Sequence, residues 1–285
     1  MPRKGLPLNT GNYDQRTISS FGDEWTRHDQ SGLNENERLA LFEAYFSLFP
    51  WDTVGATSVG FDLGCGSGRW AQLVAPRVGR LHCVDPSEAA LAVAKRNLSH
   101  LKNCEFHQAS VDAIPLADSS MDFGYALGVL HHVPDTTAGI RSCVQKLKAG
   151  GTLLVYVYYA LDNRPRWYRT LWRMSDGVRK LVSRLPSAPK QLIADAVAAG
   201  IYWPAAHVAR RVEIIGMNPS VLPLASYRNK SFYTMRTDSL DRFGTPIEHR
   251  FTAAELREMM TAAGLENVRI SDAPPYWCAV GRRAG

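Results

Sequence analysis

The stretch that decides the fold runs from Val59 to Gly68 and reads Val-Gly-Phe-Asp-Leu-Gly-Cys-Gly-Ser-Gly. Its first half is apolar enough to form a buried strand, and its second half alternates glycine with other residues, as a turn does. Glycine adopts positive φ without strain and lets a ligand approach the backbone closely. A helical pattern follows from Arg69, and the start of a helix offers free N–H groups and a positive dipole end. The stretch therefore predicts a loop that binds a nucleotide.

A second apolar run, from Arg80 to Val84, ends in Asp85. An acid at the end of the next strand, about 20 residues after the glycines, can bind ribose hydroxyls. The glycine spacing differs from the Gly-x-Gly-x-x-Gly fingerprint of dinucleotide sites, and Asp62 stands just before the glycines. A carboxylate at that position would repel a pyrophosphate but suits a cationic amine. The loop is therefore expected to bind a nucleotide that carries an amine.

The arrangement Asp62-x-Gly64-x-Gly66-x-Gly68 resembles the first motif of class I S-adenosylmethionine-dependent methyltransferases of the small-molecule type. Later segments match that family in the same order, closely up to about residue 160 and loosely over 250–283. The resemblance implies an α/β fold with a Rossmann-like, seven-stranded, mostly parallel sheet, helices on both faces and an inserted helical cap. The alternation of predicted strands and helices independently favours a parallel sheet covered on both faces.

The resemblance also implies a cofactor site for S-adenosylmethionine, with S-adenosylhomocysteine as the product and no metal. Asp62 and the glycine loop would face the methionine, and Asp85 would hold the ribose. Family members often carry an acid where Ser110 stands, so the adenine contact is assigned to Asp112 or to the backbone of Val111. The full set of predicted cofactor-binding residues is Phe21, Trp25, Asp62, Gly64, Cys65, Gly66, Gly68, Asp85, Pro86, Val111, Asp112, Leu127, Leu130 and His131.

Two aromatic residues, Phe21 and Trp25, precede the predicted core. Related methyltransferases often carry a Phe-Gly-x-x-Trp segment of this kind, and its implied role is to cover the cofactor. The alternative is that the two rings only fasten the N-terminal segment to the core. Residues 1–17 are polar and rich in Pro, Gly and Asn, and are interpreted as a mobile lead.

Composition and cysteine usage limit the class of protein. The chain has 285 residues, of which 45% are hydrophobic, an ordinary fraction for a globular protein. No apolar run reaches the roughly 18 residues needed to span a bilayer, and no apolar segment of a secretory signal follows Arg3 and Lys4. The five cysteines are scattered and show no metal-binding spacing. These features predict a reduced, cytoplasmic protein without structural zinc.

Changes in pattern along the chain predict four segments. Residues 1–50 are a lead and a helical cover, and residues 51–160 are the S-adenosylmethionine-binding core. Residues 161–240 form an inserted, mainly helical cap that serves as a substrate lid. Residues 241–285 supply a C-terminal helix and the closing strands of the core.

The start of the cap combines a basic face with an apolar stripe. Six apolar residues recur at helical spacing, which predicts an amphipathic helix: Trp167, Leu171, Met174, Val178, Leu181 and Leu185. Three interpretations remain open. The stripe faces the core beneath a solvated basic face, which is the commonest arrangement; the basic face holds an anionic acceptor; or the helix, over 164–185, rests on an anionic membrane surface. Nucleic acid is not favoured as a partner, and a homodimer is left open.

Candidate catalytic residues lie beyond the fourth and fifth strands and before the last helix. His131 and His132 follow the fourth strand, where the carboxyl ends of parallel strands line a ligand crevice; one would shape the cofactor site and the other contact the acceptor or act as a base. Tyr158 either reaches the acceptor pocket or anchors the cap. Asp241 and His249 are candidates for an acid/base pair, with ordinary loop ion pairing as the alternative.

The preferred function is methyl transfer to an O or N atom of a small or medium organic acceptor, with anionic or lipid-like acceptors included. A methyltransferase mainly has to align the acceptor and exclude water, so its catalytic residues need not form a sharp motif. The competing interpretations are RNA or protein methylation, and a homologue that binds the cofactor but has lost catalysis.

Overall fold

The computed structural model describes residues 11–285. The predicted lead, residues 1–17, falls partly outside the described residues, as do Arg3 and Lys4. The strands are β1 (Val59–Leu63), β2 (Arg80–Asp85), β3 (Cys104–Gln108), β4 (Met121–Leu127), β5 (Leu147–Tyr156), β6 (Leu265–Ile270) and β7 (Cys278–Arg283). The helices are α1 (Gln15–Arg27), α2 (Glu35–Tyr45), α3 (Ala71–Val74), α4 (Glu88–Asn97), α5 (Thr136–Lys146), α6 (Arg166–Val182), α7 (Ser187–Val197), α8 (Trp203–Ile214), α9 (Phe232–Gly244) and α10 (Ala253–Ala262).

The strands form one sheet in the order β3-β2-β1-β4-β5-β7-β6. The strands β1 to β5 run parallel, while β7 pairs antiparallel with both β5 and β6. The order of the strands reverses between β1 and β4, and open α/β sheets bind ligands at the carboxyl ends of the strands at such a point. The predicted fold class, a Rossmann-like and mostly parallel sheet of seven strands, is confirmed.

Two apolar cores cover the two faces of the sheet because side chains of a strand alternate between its faces. Phe61 of β1 belongs to the core that includes residues of α5 and α10. Tyr125 of β4 belongs to the other core, together with Phe46 and Trp70. Strands β1 and β4 approach closely, since a Cβ placed at Gly124 would lie 2.1 Å from the ring of Phe61.

Four helices, α6 to α9, lie between β5 and α10, in the region predicted as the cap. Both α6 and α7 pack against α9, which runs on to Gly244 and so past the predicted boundary at residue 240. A π-helical turn, Ala198–Tyr202, joins α7 to α8. The joined helix Ser187–Ile214 is long and apolar enough to cross a membrane by length and composition, contrary to the expectation from apolar runs.

The apolar stripe of α6 faces solvent, so the commonest interpretation of its pattern is wrong. The six stripe residues are between 38% and 69% exposed. The opposite face of α6 packs inward instead, where the guanidinium of Arg179 is buried, pairs with Asp176 at 2.7 Å and donates a hydrogen bond to the carbonyl of Thr245 at 2.9 Å. Helical periodicity identifies two faces but does not specify which one the fold buries. In α6 the inward face is held by this polar contact.

Candidate active site

A pocket lies at the carboxyl ends of β1, β2 and β4, where the strand order reverses. Its volume is about 750 Å³, counted with the part that is open to solvent. Gly64 closes β1, Asp85 ends β2, and Leu127 ends β4, and each of these lines the pocket. Helix α1 forms the wall on the other side. Volumes of this size are typical of sites for small molecules and cofactors.

The glycine loop takes the shape that its sequence predicts. Gly64, Gly66 and Gly68 all have positive φ, at 70°, 54° and 79°. A Cβ at Gly64 would lie 2.3 Å from Val129, and one at Gly66 would lie 2.8 Å from the ring of Trp25. Side chains at either position would therefore fill the space between the loop and the pocket wall.

Asp85 is held in one orientation by two backbone amides. Its Oδ2 accepts a hydrogen bond from the N–H of Gly66, and its Oδ1 accepts one from the N–H of Ser87, both at 2.9 Å. Burial raises the pKa of this carboxyl to about 6, although the two amides act in the opposite direction. Asp85 therefore joins the glycine loop to the start of α4 and presents a fixed carboxylate to the pocket.

Helix α1 covers the pocket and is also docked on the core. Phe21 and Trp25 both line the pocket. The helix packs against α4 so closely that a Cβ at Gly22 would lie 2.6 Å from the Ser87 hydroxyl. Asp14 caps the helix by accepting a hydrogen bond from the N–H of Thr17 at 2.8 Å. Helix α1 therefore agrees with both interpretations of the Phe21–Trp25 segment, since it covers the pocket and also fastens the N-terminal segment to the core.

Of the two adjacent histidines, His132 lines the pocket and His131 does not. His132 is 3% exposed and its Nδ1 lies 2.6 Å from the carbonyl oxygen of Ile247. Because a carbonyl can only accept, Nδ1 carries the proton and donates it, and neutral His132 keeps a free lone pair at Nε2. Nε2 has no hydrogen-bond partner among the described residues and lies 3.6 Å from Oδ1 of Asp241.

His131 lies behind His132 in the wall of the site. Its ring is fully buried and packs against the rings of His132 and Tyr158, with centroids at 4.0 Å and 3.9 Å. Burial holds the pKa of His131 well below its usual value, with the charges of His132 and Arg250 acting in the same direction. Of the two histidines, only His132 therefore contributes to the wall of the pocket.

Tyr158 and Asp241 are joined directly. The Tyr158 hydroxyl donates to Oδ2 of Asp241 at 2.5 Å, which links the segment after β5 to helix α9. Burial raises the pKa of Asp241, while His132 and the Tyr158 hydroxyl act to lower it. With His132, these residues form a cluster that we call the His132–Asp241–Tyr158 cluster.

The predicted pair of Asp241 with His249 is wrong. The side chain of His249 is exposed, while its backbone N–H donates to the carbonyl of His131 at 2.9 Å. The segment is extended beside the continuation of β5, and the neighbours on both sides of His249 point inward, since the side chains of Glu248 and Arg250 are 1% and 13% exposed. Alternation along an extended chain therefore turns His249 outward, and His132 takes its place beside Asp241.

Three buried or half-buried acids meet between α1 and α9, which the sequence did not indicate. Glu24 of α1 is 3% exposed, and burial raises its pKa well above the usual value, with further contributions from Asp241 and Asp238. Asp238 accepts a hydrogen bond from the Tyr227 hydroxyl at 2.8 Å. Glu24 of α1 therefore lies close enough to the two acids of α9 for their charges to raise its pKa.

The predicted cofactor residues divide into two groups. Those that line the pocket are Phe21, Trp25, Gly64, Asp85, Pro86, Val111 and Leu127. Asp62 lies beneath the loop at 1% exposure, where burial raises its pKa to about 8. Asp112 is exposed and accepts hydrogen bonds from the backbone of Asn12 and the hydroxyl of Ser110. The predicted residues that do not line it are Asp62, Cys65, Gly66, Gly68, Asp112, Leu130 and His131.

Several pocket residues were not singled out from the sequence. They include Asp14, Thr17 and Ile18 of the cover, together with Ser87, Gly128, Val129 and Val133. The signal for Ser87 was its place two residues after Asp85, and Gly128 and Val129 lie in the exit loop of β4. No sequence pattern marked Thr17 and Ile18 of α1, because their role depends on how that helix docks.

One potential metal-ligating group occurs in the described part of the chain, away from the residues that line the pocket. His82 of β2 meets Glu105 and His107 of β3, with His82 Nδ1 3.0 Å from His107 Nε2 and 3.3 Å from Oε2 of Glu105. Glu105 also pairs with Arg80 at 3.2 Å. The expectation that the protein uses no metal stays a prediction.

The fold and the glycine-loop pocket define a Rossmann-like, nucleotide-binding α/β protein. A family model described as a methyltransferase domain matches residues 61–155, which run from β1 into β5. Residues 61–155 thus match a methyltransferase domain, and the resemblance to class I S-adenosylmethionine-dependent methyltransferases predicted from the motifs is confirmed.

Known proteins agree with this assignment. The chain is 32% identical to a ubiquinone biosynthesis O-methyltransferase of Pseudomonas fluorescens over an alignment of 126 residues. This alignment covers 43% of this chain and 53% of that protein. The chain is 28% identical, also over 126 residues, to phosphoethanolamine N-methyltransferase 2 of Caenorhabditis elegans, covering 43% of this chain and 28% of that protein. The chain thus spans about half the length, or less, of these relatives.

The similarity of this fold to a solved structure extends beyond residues 61–155. A structure described as a DhpI–SAH complex aligns with a TM-score of 0.56 over 95% of this chain and 96% of that one, at 16% identity. At that identity the likeness shows the fold alone. It includes most of the cap as well as the core.

Proposed function

We propose that this protein transfers a methyl group from S-adenosylmethionine to a hydroxyl oxygen of a small or medium organic acceptor. The observation that carries the proposal is His132, which lines the pocket with a free Nε2, a tautomer fixed by Ile247 and the carboxylate of Asp241 at 3.6 Å. A base in this position suits an acceptor that must lose a proton.

The residues of the pocket fit the cofactor. The glycine loop leaves open the space that a Cβ would fill, and Asp85 presents an oriented carboxylate for the ribose hydroxyls. When bound, S-adenosylmethionine supplies an electrophilic methyl carbon on its sulfonium. Phe21 and Trp25 of α1 exclude water from that region, which favours a displacement at the methyl carbon.

The chain's own residues manage the acceptor proton. Nε2 of His132 removes the proton from the acceptor hydroxyl and becomes positively charged. Asp241 stabilises that charge from 3.6 Å, and Tyr158 keeps Asp241 in place through its hydrogen bond at 2.5 Å. His131 supports the ring of His132 by packing behind it.

Methylation of an amine is a second candidate. The observation that favours it is the group of acids Glu24, Asp238 and Asp241, whose carboxyl groups could accept hydrogen bonds from an amine. The same acids disfavour an anionic acceptor next to the cluster, although the basic residues of the cap could hold a distant anionic group. The four-segment organisation, a cytoplasmic location and a homodimer remain expectations within this proposal.

Calorimetry with S-adenosylhomocysteine, followed by assays of its release with a panel of phenols, carboxylates and amines, tests the proposal. We expect binding, and turnover with hydroxyl acceptors that stops when His132 is replaced. Absence of binding would contradict the cofactor assignment. Binding without turnover across the panel would favour the inactive interpretation, and salt-dependent RNA binding would favour RNA methylation.

The affinity for S-adenosylhomocysteine is expected to fall as the pH is lowered through about 6, the pKa to which burial raises Asp85. Only the carboxylate form accepts hydrogen bonds from both ribose hydroxyls while it also accepts those of Gly66 and Ser87. Below the pKa, the dissociation constant should therefore rise by about tenfold per pH unit. Titration calorimetry between about pH 5 and 7, the window set by this pKa, measures the effect. A flat profile would contradict the prediction.

A further inference from the structure

We propose that the exposed side of helix α6 docks on an anionic lipid bilayer. The docking surface, which we call the cap stripe, consists of Trp167, Leu171, Met174, Val178, Leu181 and Leu185. This inference concerns a surface outside the pocket and does not depend on methyl transfer.

The cap stripe is apolar over its whole length. Met174 and Leu181 are 69% and 67% exposed, and Trp167 is 53% exposed. Large contiguous apolar patches on a soluble surface mark sites of protein or membrane contact. From Trp167 to Leu181 the stripe runs over about four turns of α6, and Leu185 follows the end of that helix, so the stripe offers a long and narrow contact.

The inward face of α6 fixes which side is presented. Arg179 is 3% exposed and donates to the carbonyl of Thr245, while Arg242 of α9 donates to the hydroxyl of Ser175 at 2.7 Å. Rotating the helix to bury the cap stripe would break both contacts. It would also separate the buried guanidinium of Arg179 from its partners, and leaving a buried charge without a partner is strongly destabilising. The apolar side therefore stays outward while the protein is folded.

A row of basic residues borders the cap stripe. Arg166 and Arg173 are exposed and lie seven residues apart, which places them on one side of α6, and the exposed Arg184 follows two residues after its end. They have no ion-pair partner among residues 11–285. Lys180 continues the row and is the member that is paired, with Asp176 at 2.9 Å.

The charge decides between a bilayer and a second copy of the chain. In a twofold dimer across this helix, the same patch would face itself. The α6 helix of the second copy offers the free arginines no unpaired acid, because its Asp176 already pairs with Arg179 and Lys180. An anionic bilayer instead pairs the apolar stripe with acyl chains and the arginines with lipid phosphates. Long basic side chains can reach the headgroups from the border of an apolar face, and this combination is typical of interfacial helices.

The neighbouring helix fits the same orientation. Within the joined helix Ser187–Ile214, Leu192 and Ile214 are 72% and 75% exposed, while Ala194 is fully buried. The helix is held to α9, since Ser239 donates to the carbonyl of Ala194 and Arg236 pairs with Asp195 at 2.8 Å. These contacts favour a helix that lies on a surface over one that crosses it. Because α9 also carries Asp241, the docked bilayer would lie against the cap of the candidate active site.

Co-sedimentation with lipid vesicles tests the proposal. The wild-type chain is expected to bind vesicles that contain phosphatidylglycerol and to bind pure phosphatidylcholine vesicles far more weakly. The variant Leu171→Ser/Met174→Ser/Leu181→Ser should lose about 100-fold in partition, because three exposed apolar side chains no longer enter the acyl boundary. All three positions are exposed, so the fold and the affinity for S-adenosylhomocysteine should be unchanged.

A matched pair of charge variants separates this surface from general attraction. Arg166→Gln/Arg173→Gln/Arg184→Gln should lower binding to phosphatidylglycerol vesicles by about 100-fold, since each basic residue near the surface contributes about fivefold. Lys102→Gln/Arg141→Gln/Arg282→Gln removes the same charge from exposed positions outside the cap and should bind as the wild type does.

Three outcomes would overturn the proposal. One is a wild-type chain that stays in the supernatant with phosphatidylglycerol vesicles at low salt. Another is equal loss of binding in both charge variants, which would indicate attraction by net charge alone. The third is a dimer in lipid-free ultracentrifugation that the triple serine variant abolishes, which would assign the cap stripe to a second copy of the chain. None of these results depends on turnover, so they leave the proposed function to its own tests.

Discussion

Replacing Asp85 with alanine is expected to weaken the binding of S-adenosylhomocysteine by about 100-fold or more, since hydrogen bonds to a charged group contribute about 1.5–3 kcal/mol each. The carboxylate lines the pocket, and two backbone amides hold it in one orientation. Its loss removes the acceptor for the ribose and also leaves the N–H groups of Gly66 and Ser87 without a partner. Titration calorimetry at neutral pH measures the effect, and thermal unfolding checks that the fold survives.

Asp112 supplies the matched control for that experiment. It is also an acid that the sequence placed near the nucleotide, but it is exposed and does not line the pocket. Asp112→Ala should therefore change the affinity by no more than a few fold. If both variants lost affinity equally, the adenine contact would lie at Asp112 and the assignment of Asp85 as the main anchor would be wrong.

Asp85→Asn separates charge from shape. An amide has one acceptor oxygen, so it cannot accept from both Gly66 and Ser87, and its NH₂ group would face one of their N–H groups. We expect this variant to bind weakly and to show no pH dependence near pH 6, roughly the pKa of the native carboxyl. A normal pH profile in Asp85→Asn would assign the titration to another group.

The nucleotide site could be predicted from the sequence because each of its parts is local. The strand, the glycine turn and Asp85 follow one another within a single β-turn-helix-β unit, and a parallel sheet brings the ends of neighbouring strands together. The positive φ values of Gly64 and Gly66 are what their lack of a side chain permits. Local chemistry thus determined both the fold class and the position of the pocket.

The acceptor side could not be predicted in the same way, because it depends on contacts between distant segments. His132 meets Ile247 and Asp241 more than a hundred positions along the chain, and no spacing rule connects them. The choice between His131 and His132 depends on the short 3-10 turn after β4, which turns one ring inward and the other toward the pocket. The outward direction of His249 follows from the alternation of side chains along an extended segment. The sequence did not indicate that this segment is extended.

The cap shows a different limit of sequence reasoning. The periodicity of α6 correctly predicted an amphipathic helix, yet the buried face is the one that carries Arg179. An apolar stripe is stabilised by any apolar partner, whether a core, a second chain or a bilayer, so the pattern alone does not identify the partner. The polar contacts of Arg179 and Arg242 with Thr245 and Ser175 decide the orientation, and they appear only in three dimensions.

Replacing His132 with glutamine is expected to lower kcat by about 10²- to 10⁴-fold with a hydroxyl acceptor, the range that a positioned general base contributes. The affinity for S-adenosylhomocysteine should change little, because the loop and Asp85 hold the cofactor. The measurement is the rate of S-adenosylhomocysteine release at saturating cofactor, with the hydroxyl acceptor that the panel identifies.

His249→Gln is the control for His132, since it makes the same substitution in an exposed histidine near the site. It should retain nearly full activity, because its side chain does not meet Asp241. Asp241→Asn should fall between the two, since the base remains while the charge that stabilises its protonated form is lost. If His249→Gln lowered kcat as much as His132→Gln, the result would support the acid/base pair of Asp241 with His249 that the sequence indicated. If both retained full activity, the acceptor would need no base from either histidine, which would favour an amine that reacts as its neutral form through the nitrogen lone pair.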